Sequence, residues 1–379
     1  MTDSTPFVSP LLPILRSAGG VATEYHGRTL IRHFGDPSGE YDAATNGCAV
    51  FDRSHRSRLM VSGRNPGQML NGVLTGRMPG LVSSSDEGCS GEGTYHAVLT
   101  PKGRMISDLW AYRLGDADTE AYLLDVPVAG RDGLLAHFGR FLPPRFAAVR
   151  DVSQETAAVT IVGRHADAVV SRMGGVGRVH PSEIDAVREG FWFGTGDGSG
   201  MLDQAGMIHG YLVSRTEDVW PSAWTVLGAV ESVRAVWSAL VEDGVTPAGL
   251  GVWSTLRVEA GRPAFGTDMD QDTLPPEAGI VDRAIDHTKG CYTGQEVIVR
   301  IRDRGHVNRH LRVLDLGDIP APTRGVELLA ADGSGKSVGH LTSVVQSPRF
   351  DGVLAMGYVR RGVTDALLGD RRVTVGSPG

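Results

Sequence analysis

The chain has 379 residues, 41% of them hydrophobic, and a formal net charge of −7 from 37 basic and 44 acidic side chains. That length and apolar share allow a large core divided among two or three domains, and the interspersed charges leave no basic arm or patch for nucleic acid or anionic lipid. The N-terminal run MTDSTPFVSPLLPILRSAGG has no cationic lead and is broken by Pro13, and no apolar stretch elsewhere reaches the length of a membrane span, so a cytoplasmic protein is expected.

In chain order, Leu59 to Gly63 reads as a strand running into a helix-like segment from Arg64 to Leu74, with Met69, Leu70, Val73 and Leu74 as its apolar stripe. The pattern recurs about a hundred residues later. Val159 to Gly163 leads into Arg164 to Met173, so VSGR and IVGR open two similar strand-to-helix units, a sign of two related α+β lobes. Between them, Tyr95 to Leu99 and Met105 to Leu114 flank the turn Pro101-Lys102-Gly103, and Ala121 to Val126 follows after Gly115-Asp116, giving an antiparallel meander. Ala129 to Leu142 has the spacing of an amphipathic helix with Leu134, Leu135, Phe138, Phe141 and Leu142 on one face, stopped by Pro143-Pro144. A second such helix is expected over Val230 to Val241, ending near Gly244. After about Arg304 come short strands and turns (LRVLDL, GVELLA, VGHLTSVV, VLAMGYV), the pattern of a small all-β domain.

Several motifs lack their parts. GSGKS at 333–337 has alanine at 330, where a phosphate-binding loop needs glycine, and GTGDGSG (Gly194 to Gly200) reads as a flexible surface loop rather than a dinucleotide site. The chain has no H-E-x-x-H, so the zinc-hydrolase reading lacks its parts. Cys48, Cys89 and Cys291 are odd in number and far apart, which fits a reducing compartment and offers neither a disulfide framework nor a metal site. Cys48 lies in an apolar run and Cys89 in a polar glycine- and serine-rich loop, so both are expected to be functionally silent.

The remaining stretch is DHTKGCYTGQEVIVRI, Asp286 to Ile301. Lys289 stands two residues from Cys291, and Gly290 and Gly294 free the backbone for a partner's approach or for positive φ. At about 6 Å and an effective dielectric of about 20, a lysine charge favours a thiolate by roughly 2.8 kcal/mol, about two pK units. Cys291 and Lys289 are therefore the expected reactive pair, with the thiol as a small core residue the alternative that spacing leaves open.

KGCYTGQE, Lys289 to Glu296, resembles the signature K-G-C-[FY]-x-G-Q-E of the YgfZ family, folate-binding proteins that help assemble or repair iron-sulfur clusters. GCAVFDRSHRSRLMVSG (Gly47 to Gly63), LGVWSTLRVEAGRPAFGTDMD (Leu250 to Asp270) and VGHLTSVVQSPRF resemble segments of the related glycine-cleavage T-protein, a tetrahydrofolate-dependent aminomethyltransferase. The resemblance implies an α+β fold of two lobes with antiparallel sheets plus a C-terminal β-barrel, in a three-domain ring. The T-protein-like folate-binding region would span 1–300 (first lobe about 1–55 and 151–270, second lobe about 56–150, signature loop 286–301), with the barrel at 304–379.

It further implies a reduced folate as cofactor, with folate and iron-sulfur client or assembly proteins as partners. Arg257 matches a family arginine and would hold the glutamate tail; a strand-surface ion pair with Glu259 is the ordinary alternative. Asp108 matches the second acid of a pair that lies near the reactive folate nitrogen, the first being replaced by Ser107. Where T-proteins show R-T-G-Y-T-G-E-D-G, this chain reads RTEDVWPSAW from Arg215, so Trp220 and Trp224 either face the pterin or fill a lobe interface. Gln295 and Glu296 would fix the signature loop or meet polar groups of a ligand or partner. Two functions follow: a folate-dependent iron-sulfur assembly factor working through Cys291, or a tetrahydrofolate-dependent aminomethyltransferase or demethylase-type enzyme.

Overall fold

The structure is a computed structural model that describes residues 7–85, 88–115, 119–173, 187–194, 201–202 and 207–375. It comprises two compact units: Met1–Asn71, Arg77–Tyr95 and Leu109–Trp253 form the first, and Gly72–Gly76, His96–Asp108 and Ser254–Gly379 the second. The chain runs through α1 (Leu12–Ser17), β1 (Val21–Tyr25), β2 (Arg28–His33), α2 (Pro37–Asn46), β3 (Ala49–Asp52), β4 (Ser57–Ser62), α3 (Pro66–Asn71), β5 (Ser83–Ser85), β6 (Gly88–Leu99), β7 (Met105–Arg113) and β8 (Ala121–Val126). It continues with α4 (Val128–Phe141), β9 (Ala148–Asp151), β10 (Thr156–Val162), α5 (Ala166–Arg172), β11 (Phe191–Gly194), β12 (Tyr211–Thr216), β13 (Ala223–Ala229), α6 (Val230–Glu242), β14 (Thr246–Ala248) and α7 (Leu250–Glu259). The last part contains α8 (Pro275–Ala278), α9 (Val281–Ala284), α10 (Gln295–Arg304), β15 (Arg309–Gly317), β16 (Glu327–Ala330), β17 (Ser337–Ser347), β18 (Gly352–Arg360), β19 (Asp365–Leu368) and β20 (Arg371–Thr374).

The large sheet has the order β14-β3-β10-β13-β12-β11-β6-β7-β8-β4-β9, with β5 beside β6. Pairs such as β10–β13 and β4–β8 are antiparallel, and the short β14 lies parallel to β3. Residues of β10 and β13 that alternate inward, including Val159, Ile161, Trp224 and Val226, meet Val233 and Trp237 of α6 in the core.

The two strand-to-helix repeats are present as β4–α3 and β10–α5, and the glycine of each repeat has the same task. Gly63 (φ +151°) and Gly163 (φ +143°) leave their strands where a Cβ would lie 2.5 Å from the Phe146 carbonyl oxygen and 2.3 Å from that of Gly47. Only glycine fits both demands. Helix α4 buries Leu134, Phe138 and, just past its end, Leu142, but Phe141, expected on that face, is exposed and packs on His137 with ring centroids 4.6 Å apart.

In the second unit the strands after 304 form one sheet, ordered β15-β18-β17-β16-β19-β20, curled into a half-barrel. Its core is Leu314, Leu328, Leu341, Val353 and Ala355. The fold is thus α+β with antiparallel sheets. GSGKS lies where β16 turns into β17, and GTGDGSG from residue 195 onward lies outside the described residues. Among the described residues no helix is long and apolar enough to cross a membrane, and no cluster of three metal-ligating side chains occurs.

Candidate functional site

The signature loop is tied to segment 72–76 by its own backbone. Asp286 N–H donates to the Thr75 carbonyl and Thr293 N–H to that of Gly72, both at 3.0 Å. Between these ties the Lys289 ammonium donates to the carbonyls of Leu74 (2.7 Å) and Gly76 (2.9 Å) and lies 5.7 Å from the centroid of the Tyr292 ring. Burial pushes the Lys289 amine down to about 8, opposed by Asp286. Its donors go to carbonyls, which makes Lys289 a clasp for the loop.

Beneath the clasp, Gly76 N–H donates to Nδ1 of fully buried His96 at 2.9 Å, which fixes the neutral tautomer with its proton on Nε2. Burial, then the nearby Lys289, push this imidazole down to about 3. Thr75 Oγ1 receives Ala97 N–H at 2.9 Å and lies 2.6 Å from the Ala284 carbonyl, knitting β6 and α9 to the same segment. His96 was not singled out from the sequence. Its place in the buried strand YHAVL is the one signal that could have marked it.

Cys291 is exposed, Cys48 half-buried and Cys89 buried. Burial pushes the Cys48 thiol up to about 12 and raises that of Cys89 as well, so both are held as unreactive thiols. Cys89 lies on β6 rather than in the loop expected from its glycines and serines.

Gly294 begins α10 at φ +85°, where a Cβ would lie 2.6 Å from the Thr100 carbonyl oxygen. Gly290 has neither a positive φ nor a close neighbour. Gln295 opens the helix with its N–H on the Tyr292 carbonyl (3.2 Å), and Glu296 is exposed in the first turn, where a carboxylate suits the positive end of the helix. Lys289, Cys291, Gln295 and Glu296 are therefore brought together on one loop and helix start.

The other expected residues lie elsewhere. Arg257 is on α7, not on a strand, and is 8% exposed. Its Nη1 pairs with Asp268 at 2.7 Å and its Nη2 donates to Ser343 Oγ at 2.7 Å. Asp268 also accepts from Thr342 and Ser343 at 2.6 Å and from Ala264 N–H at 3.0 Å. The partner is thus Asp268 rather than Glu259, and a cation locked in this buried network is not free to take a ligand's tail. Trp224 has no exposed surface, and its Nε1 donates to Asp167 at 2.6 Å beside Arg215. It is a core residue of the first unit with no ring face for a pterin. Asp108, on β7, is 6% exposed, and the adjacent Ser107 hydroxyl donates to the Asp108 carbonyl at 2.8 Å. Ser107 thus spends its hydroxyl proton on the neighbouring backbone carbonyl.

Comparison with known proteins places this geometry in a lineage. The solved glycine cleavage system aminomethyltransferase T of Bartonella henselae superposes with a TM-score of 0.79 over 98% of this chain and 97% of its own, at 19% identity, so the two share a fold. Aminomethyltransferases of Rubrobacter xylanophilus and Synechococcus sp. are each 27% identical over 93% of this chain, covering 86% and 90% of their own lengths. That of Bacillus subtilis is 25% identical over 90% of this chain and 87% of its own. The family model described as the GCVT N-terminal domain matches residues 15–289, which hold both repeats, Asp108, Arg257 and the Lys289 clasp, and the chain belongs to that family.

Proposed function

We propose that the chain binds a reduced folate and carries out a one-carbon transfer of the aminomethyltransferase or demethylase type. The observation that supports this reading most is Asp108: an acid kept almost wholly from water on β7 of a chain whose relatives over nine-tenths of its length are named aminomethyltransferases. A bound folate would supply the nitrogen that accepts the one-carbon unit. A carboxylate out of water at such a nitrogen stabilises positive charge and exchanges a proton. Of the residues expected at folate, Asp108, Gln295 and Glu296 remain suited to contact it; Arg257 and Trp224 act through packing. The test is calorimetry with tetrahydrofolate, then turnover with an aminomethyl donor, for the wild type and Asp108→Asn. Binding with turnover lost in Asp108→Asn is expected; no binding at millimolar folate removes the reading.

A second reading, favoured by the exposure of Cys291 alone among the three thiols, is folate-dependent help to iron-sulfur proteins through that sulfur. Folate binding without turnover, together with failure of Cys291→Ser to restore iron-sulfur enzyme activity in a deletion strain, would favour it.

A further inference from the structure

The start of β15, the end of β18 and the region around α8, all within the second unit, border a cleft of about 570 Å³. That is the size of a small-ligand site. Its polar lining is led by Arg104, Asn308, Arg309, His340, Tyr358 and Arg360, with the carboxylates of Asp272 and Glu277 at its edge.

The charges do not cancel. Arg309 and Arg360 stand directly opposite each other in the β15–β18 ladder, an arrangement that like charges oppose. Arg309 is held by both oxygens of Glu277 at 3.2 Å and lies 4.5 Å above the Tyr358 ring. Arg104 pairs with Asp272 at 2.8 Å, but that carboxylate is 85% exposed, so water weakens the pair. The Arg360 guanidinium has no ion-pair or hydrogen-bond partner among the described residues. The Tyr358 hydroxyl, on a residue 3% exposed, makes no hydrogen bond of normal geometry among them either. His340 is kept neutral, first by burial and then by Arg309, which leaves it an N–H to donate without adding charge.

We propose that this cleft binds a compact anion with two or more oxyanion groups, of the carboxylate or phosphate type. One oxyanion pairs with Arg360 and another takes Arg104 from Asp272, while Arg309 stays clamped by Glu277 and supplies the field between them. Asn308 and His340 offer neutral donors beside the anion. The site does not depend on folate binding.

The test is calorimetric titration of the full chain with tricarballylate in one arm and tripolyphosphate in the other, at low and raised ionic strength. At least one probe is expected to bind, more weakly as salt rises. Binding of only one assigns the site to that chemistry. Arg360→Gln should weaken binding about tenfold or more, by loss of a charge-assisted contact, and Asp272→Asn should tighten it by freeing Arg104. Both residues are exposed, so neither change threatens folding. Absence of binding by both probes at millimolar concentration overturns the proposal, as does binding that both variants leave unchanged.

Discussion

Two cations marked by the sequence for a site, Arg257 and Lys289, both turn inward in the second unit, whereas Cys291, two residues from Lys289, is exposed. The difference lies in what each side chain can do with its polar atoms. A guanidinium or ammonium with reach will find acceptors in its own fold: Asp268 and Ser343 for Arg257, the Leu74 and Gly76 carbonyls for Lys289. A thiol is a weak donor that gains little from such acceptors, and the Cys291 sulfur stays at the surface. Cations in a motif can therefore build the frame of a loop while a neighbour in the same motif stays exposed.

The comparison is broken most sharply at Arg257. Arg257→Ala strands Asp268 in a buried network and should cost about 3–5 kcal/mol in urea unfolding. Near-native stability with folate binding lost would instead return Arg257 to the ligand.

Acid should act next, through His96 beneath the clasp. Its folded pKa of about 3 lies below the unfolded 6.5, so as pH falls between these values the unfolded chain takes up a proton that the folded chain refuses. Stability should fall through that window at up to about 1.4 kcal/mol per pH unit. His96→Gln should flatten this limb in pH-dependent unfolding.

At Lys289 the effect is smaller and confined to alkaline pH. With a folded pKa of about 8 against 10.5 unfolded, the folded chain sheds its proton first, so wild-type stability should rise relative to Lys289→Met as pH climbs from 8 to 10.5. Near neutrality, Lys289→Met leaves the Leu74 and Gly76 carbonyls short of a donor and should cost about 1–3 kcal/mol. A flat difference across the window would mean that the amine is not buried as the clasp requires.

The smallest effect sharpens the contrast from the other side. Cys291→Ser should change stability by less than about 0.5 kcal/mol, and mass spectrometry after brief alkylation should find the label on Cys291, with Cys48 and Cys89 modified only after unfolding.

Much of the framework could be read from local pattern. The strand over Ala121 to Val126 after a Gly-Asp turn, the apolar spacing around Val230 to Val241, and the repeated glycine after two strands each reflect constraints that act within a few residues. WSTLRVEAG, which holds Arg257, contains β-branched residues that suit a strand, yet it forms a helix stabilised by burying Val252, Trp253 and Leu256. Glycines and serines likewise hid the strand around Cys89, which its neighbours in the sheet complete through β5 and β11.

By itself, then, the sequence determined the α+β character, the two repeats, the β-rich C-terminal segment and the loop that carries the thiol, since periodicity, turn residues and short motifs are local. Only the tertiary structure decided where each charge went. Asp268 lies 11 residues from Arg257, Ser343 lies 86, and the Leu74 carbonyl lies 215 from Lys289. Such partners are chosen by the free energy of satisfying buried polar atoms across the whole fold, and no local pattern records that choice.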